Sequence, residues 1–236
     1  MRIALDEPRA TAGNRDFILH YRLQGNAIVT GLTRFSAGGE NYFLLVGRRC
    51  RSASPATLPA RDYVFILDVS GSMAGFLLDT ARTLIERLLA TLSPQDSFNI
   101  LFFAGGSTTL APQSLPATAE NLGRARAMLA GMAGGGGTEL LPALQQALAM
   151  PLAEGTSRSL VLITDGYVSA EGAAFKLIDA NLGNANLFAF GIGTSVNRYL
   201  VEGLARVGHA ESFVVTDAGA AAREAERLAP TSPHRC

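Results

Sequence analysis

Hydrophobic residues fall in two rhythms along this chain. From residue 61 onward, short continuous apolar runs alternate with longer stretches in which apolar side chains recur every three or four positions. The runs YVFILD (63–68), SFNILFF (97–103), SLVLIT (159–164), LFAFG (187–191) and SFVV (212–215) predict strands. YVFILD and SLVLIT are apolar enough to be buried on both faces of a sheet. Between these runs, 77–92 sets Leu77, Ala81, Leu84, Leu88 and Leu92 on one stripe. The segment 119–131 aligns Leu122, Ala125 and Leu129, 139–150 aligns Leu140, Leu144 and Ala147, and 173–182 aligns Phe175, Ile178 and Leu182. Each spacing predicts a helix, and 196–207 and 218–228 read the same way. A short antiparallel edge strand is expected at 107–110, after Gly105 and Gly106. Strands alternating with helices imply βαβ units and a mostly parallel sheet, with right-handed crossovers placing helices on both faces.

The first 60 residues read differently. The segments 16–23, 27–35 and 41–47 look like strands, the first two joined by a hairpin turn at 24–26, and SASPATLP (52–59) is a Pro/Ser-rich linker. Three strands make a poor core alone, so they are expected to pack on a neighbour. The expected organisation is a β segment and linker over 1–60, an α/β domain over 61–216, and a helix and tail over 217–236.

Composition narrows the function. Acidic and basic residues balance to a formal net charge of zero, which gives no sign of a general affinity for nucleic acid. Lys176 is the single lysine; the other basic residues are Arg. Cys50 and Cys236 form no CxxC or Cys/His cluster, so they read as two unpaired thiols. No apolar run reaches the roughly 18 residues a membrane span needs, and MRIALDEPRA lacks the apolar stretch of a signal peptide.

Ligands of open parallel sheets bind at the carboxyl ends of the strands, and three chain segments bring polar residues there. YVFILD ends in Asp68-Val69-Ser70-Gly71-Ser72, the run Gly134-Gly135-Gly136-Gly137 ends in Thr138, and SLVLIT ends in Asp165-Gly166. Taken singly, such Ser and Asp residues are ordinary helix N-caps. Together they are a set of hydroxyl and carboxylate oxygens, hard donors suited to Mg²⁺, Ca²⁺ or Mn²⁺. The glycine run has two readings: backbone freedom that lets Thr138 move, or a tight turn needing positive φ. No GxxxxGK[ST] or GxSxG occurs, and Gly191-x-Gly193 lacks the rest of a dinucleotide fingerprint.

The pattern Asp68-x-Ser70-x-Ser72, then Thr138, then Asp165 resembles the metal-ion-dependent adhesion site of the von Willebrand factor A (vWA) family. The resemblance runs from about residue 61 to 215 and implies a doubly wound, Rossmann-like sheet. It implies that Ser70, Ser72 and Thr138 ligate a divalent cation directly, most simply Mg²⁺, with Asp68 and Asp165 acting directly or through water. It also implies that an Asp or Glu of a protein partner completes the shell. YVFILDVSGSM, FNILFFAGGS, GGGGTELLPAL, VLITDGYVS and LFAFGIGTSVNRYLVEGLARVG are similar to a narrower group. These are the bacterial proteins with a vault/inter-α-trypsin (VIT) domain ahead of the A domain, and the inter-α-trypsin inhibitor heavy chains. The strands before residue 47 would then join a VIT domain to the A domain, and the chain would be either a fragment of a longer protein or the product of a truncated gene. That group includes exported and envelope proteins, which leaves the compartment open.

The expected function is therefore a non-enzymatic, metal-dependent binding module. One alternative is a scaffold or regulatory subunit of a larger, ATPase-linked assembly. Another is a metal-dependent hydrolase, which would need a base near the metal, where Glu139 is the spare acid.

Overall fold

The computed structural model describes residues 30–37, 40–47, 60–166, 168 and 171–228, and the chain divides into two units, residues 1–52 and 53–235. In the first unit, β1 (Thr30–Ala37) and β2 (Glu40–Gly47) form an antiparallel pair, from Thr30 opposite Gly47 to Ala37 opposite Glu40. The second and third expected strands thus pair with each other. The expected strand at 16–23 and the turn at 24–26 lie outside the described residues, as do the linker 52–59 and the tail 231–236. Tyr42, Phe43 and Leu44 are exposed on β2.

The second unit is a mostly parallel sheet covered by helices. Its strands are β3 (Arg61–Asp68), β4 (Ser97–Phe103), β5 (Ser107–Thr109), β6 (Leu115–Pro116), β7 (Ser157–Thr164), β8 (Asn186–Ile192) and β9 (Ser212–Val215). The order across the sheet is β5-β4-β3-β7-β8-β9, with β6 also on β4. β5 and β6 run antiparallel to β4 and all other pairings are parallel. Among the parallel strands the chain starts in the middle at β3, steps outward to β4, then returns past β3 to β7, β8 and β9. The order therefore reverses between β3 and β7, and such a reversal opens a crevice at the carboxyl ends of the strands flanking it.

The helices are α1 (Phe76–Leu89), α2 (Ala119–Gly131), α3 (Leu140–Leu148), α4 (Glu171–Asn181), α5 (Arg198–Val207) and α6 (Ala218–Leu228). Period-two alternation assigns each strand residue to one of two cores. Tyr63, Phe65 and Leu67 of β3 and Val161 and Ile163 of β7 face α1, α2 and α6. Val64 and Ile66 of β3 and Leu160 and Leu162 of β7 face α3, α4 and α5. On α1 the expected stripe is buried at Ala81, Leu84 and Leu88, joined by Leu78, Ile85 and Leu89. Each fully buried Leu or Ile contributes roughly 1.5–3 kcal/mol, so the two layers hold the sheet rigid beneath its loops.

Element ends differ from the sequence expectation for local reasons. α1 stops at Leu89 and not at residue 92: Thr91 donates its hydroxyl to the Leu88 carbonyl, and Ser93 N–H then turns to the Asp96 carboxylate at 2.8 Å. α5 begins at Arg198 because the Asn197 side chain caps it, accepting from Leu200 N–H at 3.1 Å. β7 starts earlier than expected, at Ser157, because Arg158 stands beside Asp62 of β3 in the ladder and pairs with it.

Candidate metal centre

Asp68 is the last residue of β3, next to the strand reversal. It continues the phase of Val64 and Ile66 and so lies on the α3–α5 side of the sheet. Its side chain is fully buried. Oδ1 accepts from Ser70 N–H at 2.9 Å, and Oδ2 accepts from the Thr164 hydroxyl at 2.6 Å. Thr164 in turn accepts from Gly166 N–H at 2.9 Å. Both oxygens are thus held by neutral donors. Burial raises the Asp68 carboxyl above the ordinary carboxylate range; the Ser70 and Thr164 hydrogen bonds oppose that shift, and the charge of nearby Asp165 adds to it.

Beyond Asp68 the chain forms one 3₁₀ turn, Gly71–Met73, closed by Met73 N–H to the Ser70 carbonyl, with Met73 buried beneath it. This turn brings the buried Ser70 Oγ and the exposed Ser72 Oγ to 3.2 Å of each other. Gly75, at φ +75°, then reverses the chain into α1.

The glycine run reaches the same place through backbone bonds. Gly135 N–H donates to the Val69 carbonyl at 2.9 Å, and Gly71 N–H donates back to the Gly136 carbonyl at 3.1 Å. On the other side, Glu139 N–H donates to Ala104 O at 2.7 Å, at the end of β4. Thr138, half-buried, lies between these two clamps and just ahead of α3. Two of the four glycines have a geometric reason. Gly136 has φ +83°, and a Cβ on Gly134 would stand 2.8 Å from the Ala74 Cα. The tight-turn reading therefore accounts for Gly136, while close approach to Ala74 accounts for Gly134. Gly135 and Gly137 have neither a positive φ nor a crowded Cβ direction.

Asp165 follows β7 directly and is 2% exposed, so it belongs to the interior of the site. Its carbonyl accepts from Asn197 N–H at 3.2 Å, and Asn197 Nδ2 donates to Glu171 at 3.1 Å, which ties the loop after β7 to the start of α5. Gly166, at φ +85°, allows this approach, since a Cβ there would lie 2.8 Å from the Asn197 Cβ.

The five expected residues thus arrive by three loops at one sheet edge. Asp68, Ser70 and Ser72 are joined by hydrogen bonds, Asp165 acts on Asp68 through its charge, and Thr138 is brought in by its neighbours' backbone. Thr164 joins them unannounced by the sequence: its run reads as an apolar strand, yet it has the same phase as Leu160 and Leu162 and sits on the side that Asp68 faces. The donors are hydroxyls and two carboxylates, and among the described residues no three His, Cys, Asp or Glu side chains gather as a metal cluster. Such a set suits a hard cation and not a soft one.

A doubly wound sheet that reverses between β3 and β7, with hydroxyl and carboxylate side chains at the reversal, defines a Rossmann-like α/β domain. Residues 61–211 match the family model described as von Willebrand factor type A domain, and the chain belongs to that family. Human inter-alpha-trypsin inhibitor heavy chain H4 is 33% identical over 162 residues, covering 63% of this chain and 17% of that protein. Human von Willebrand factor A domain-containing protein 5B1 is 31% identical over 173 residues, covering 72% of this chain and 13% of that protein. The chain thus spans less than a fifth of the length of these relatives. Among solved structures, a von Willebrand factor type A protein from Catenulispora acidiphila matches 88% of this chain and 51% of its own, with TM-score 0.70 and 19% identity. At that identity it supports the fold alone. Domains of this family typically mediate protein–protein interactions and often bind a divalent metal. No helix among the described residues is long and apolar enough to cross a membrane.

Proposed function

We propose that this domain is a metal-dependent protein-binding module. Asp68, Ser70, Ser72, Thr138 and Asp165 would hold a divalent cation, Mg²⁺ by preference, and an Asp or Glu of the partner would complete its shell. The observation that carries the reading is the Asp68 carboxylate, fully buried yet held only by a backbone N–H and hydroxyls, beside the Ser70–Ser72 hydroxyl pair. A buried carboxylate normally has a cation for company. When bound, the metal would supply that charge and, because three of its protein donors are neutral, an electrophilic face for an acidic side chain.

The chain's own part is to orient these oxygens and to exclude water from Asp68. The exposed Phe76, the first residue of α1, is an apolar rim beside the Ser72 turn for the partner to cover. Turnover is no part of this reading: among the described residues, the acid next in sequence to these positions is Glu139, which is exposed. Residues 61–216 are read as the binding domain and 1–60 as its connection to a preceding one.

Titration of the metal-stripped chain with Mn²⁺, followed by calorimetry, tests the site. Saturable uptake that disappears in Asp68→Ala is expected, and equal uptake by both proteins would sink the metal reading. Capture of host proteins on the immobilised chain should be lost in excess EDTA. Capture unaffected by EDTA would exclude a bridging cation, and Mg²⁺-dependent phosphoester hydrolysis would favour the enzyme instead.

A further inference from the structure

Arg82 lies on α1, where the helical pattern marks it only as a charged residue beside the apolar stripe. Its guanidinium does not point to solvent. Nε donates to the Leu129 carbonyl at 3.1 Å, and Nη2 donates to the Met132 carbonyl. Nη1 donates to Asp79 Oδ1 at 2.8 Å, one turn back on the same helix, and its side chain is only 25% exposed. The two carbonyls belong to the end of α2, where helical C=O groups run short of backbone partners; Leu129 O also accepts from Met132 N–H at 3.3 Å, so Arg82 adds a second bond there. Met132 is the residue at which α2 stops and the chain turns extended, with ψ 135°. Gly134, which presses against Ala74, and the clamps at Gly135 and Gly136 follow at once.

We infer that Arg82 is a positioning residue for Thr138. Its planar fork fixes where α2 ends and so where the glycine run enters the metal site, and Asp79 holds the fork in place. The geometry has a specific logic. The Ser70–Ser72 turn leads into α1 through Gly75, and α1 carries Arg82, which grips the other ligand loop at its origin. The two loops are thus tied twice, once at the site by Gly71 and Gly135 and once at their bases by Arg82. A lysine offers a single nitrogen on a flexible stem where arginine sets two nitrogens in a rigid plane, so it would hold the two carbonyls less firmly. This inference rests on the metal-site reading for its consequence but not for its geometry, and the experiment separates the two.

The test uses the full chain, Mn²⁺ alone as probe, and four proteins: wild type, Arg82→Met, Arg82→Lys and Thr118→Ala. Thr118 caps the opposite end of α2, its hydroxyl accepting from Asn121 N–H, so its loss loosens the helix without touching the ligand loop. Mn²⁺ affinity should fall about tenfold or more in Arg82→Met, as when a group that orients a ligand is removed. It should fall less in Arg82→Lys and stay at the wild-type level in Thr118→Ala. Wild-type affinity in Arg82→Met, or an equal loss in Thr118→Ala, would overturn the role. Amide exchange at Gly71 and Gly135 is read in the same proteins without metal. Faster exchange in Arg82→Met than in Thr118→Ala supports the positioning role even if the wild type takes up no metal. Unchanged exchange overturns it whatever the metal does.

Discussion

The pair of strands β3 and β7 buries a carboxylate at each end, and the two ends are built differently. At the amino end, Asp62 and Arg158 are ladder partners, 1% and 5% exposed. Arg158 gives Nε and Nη2 to Asp62 Oδ2 at 2.8 and 2.6 Å, and further donors to the Met150 and Pro151 carbonyls. Asp62 Oδ1 accepts from the Ser97 hydroxyl at 2.9 Å. At the carboxyl end, Asp68 occupies the same face of the same strand, and its neighbour across on β7 is Thr164 where Asp62 has Arg158. One carboxylate has a covalently supplied cation with its hydrogen bonds complete. The other has hydroxyls and a second acid, Asp165, nearby. The difference teaches that the amino end is a structural lock, whereas the carboxyl end lacks a built-in cation, which is what the proposed metal-site reading would supply.

Removing each cation should therefore be felt under different conditions. Arg158→Met leaves Asp62 buried without its partner, and breaking a buried pair on one side costs about 3–5 kcal/mol. This is the largest effect expected in the domain, and it should appear as a lower denaturation midpoint with or without Mg²⁺. A change under about 1 kcal/mol would mean that Asp62 finds other partners, and the contrast between the ends would weaken.

The carboxyl end should respond to metal and pH together. With metal at about a hundred times its dissociation constant, wild type should gain about 2.7 kcal/mol, and Asp68→Asn should gain nothing. In EDTA the ranking should reverse. A buried carboxyl whose proton is held more tightly in the folded state stabilises the fold most below its unfolded value, about 3.9, and that contribution is lost as pH rises through the raised folded value. Metal-free Asp68→Asn should consequently be at least as stable as wild type at neutral pH, with the gap closing in acid. Asp217, whose carboxylate caps α6 through Ala220 N–H, is shifted down by that bond and pulls the other way. It does so in both proteins, so their difference reports Asp68. Wild type exceeding Asp68→Asn in EDTA at neutral pH would contradict the account of that end.

How visible these ends were in the sequence differs for the same physical reason. Asp68, Ser70, Ser72, Thr138 and Asp165 all stand where an apolar run or a glycine run stops, and a change of rhythm is what a linear pattern displays. The βαβ alternation likewise displayed the parallel sheet, because period two and period 3.6 are local properties. Asp62 and Arg158 lie far apart in the chain, each at the start of a strand where any polar residue passes for solvent-facing, and only the ladder register unites them. Asn99 was also hidden: it is fully buried within SFNILFF and ties the loop after β5 by donating to Ala111 O at 2.8 Å. Arg82 was hidden by the opposite error, since a charged helix residue is usually solvated, and nothing local reveals that its fork meets the end of another helix.

The glycine run is where the sequence left two readings, and here the smallest effects sharpen the comparison most. Gly136→Ala places a Cβ at φ +83°, a conformation costing about 1–2 kcal/mol for an L-residue. Gly135→Ala meets no crowding and no positive φ, so its stability should stay within about 0.5 kcal/mol of wild type. If the run serves geometry alone, Gly135→Ala should bind Mn²⁺ and the metal-dependent partner as wild type does, while Gly136→Ala loses stability and affinity together. If backbone freedom lets Thr138 adjust as the ligand arrives, Gly135→Ala should weaken partner capture without lowering the melting temperature. Calorimetric unfolding beside capture in Mg²⁺ decides between them. The decisive feature is that Gly135 donates its N–H to Val69, a bond that alanine keeps. A loss of capture in Gly135→Ala that leaves Mn²⁺ affinity and melting temperature unchanged would thus report either restricted φ and ψ at the clamp or a methyl group in the partner's way, and not a missing hydrogen bond.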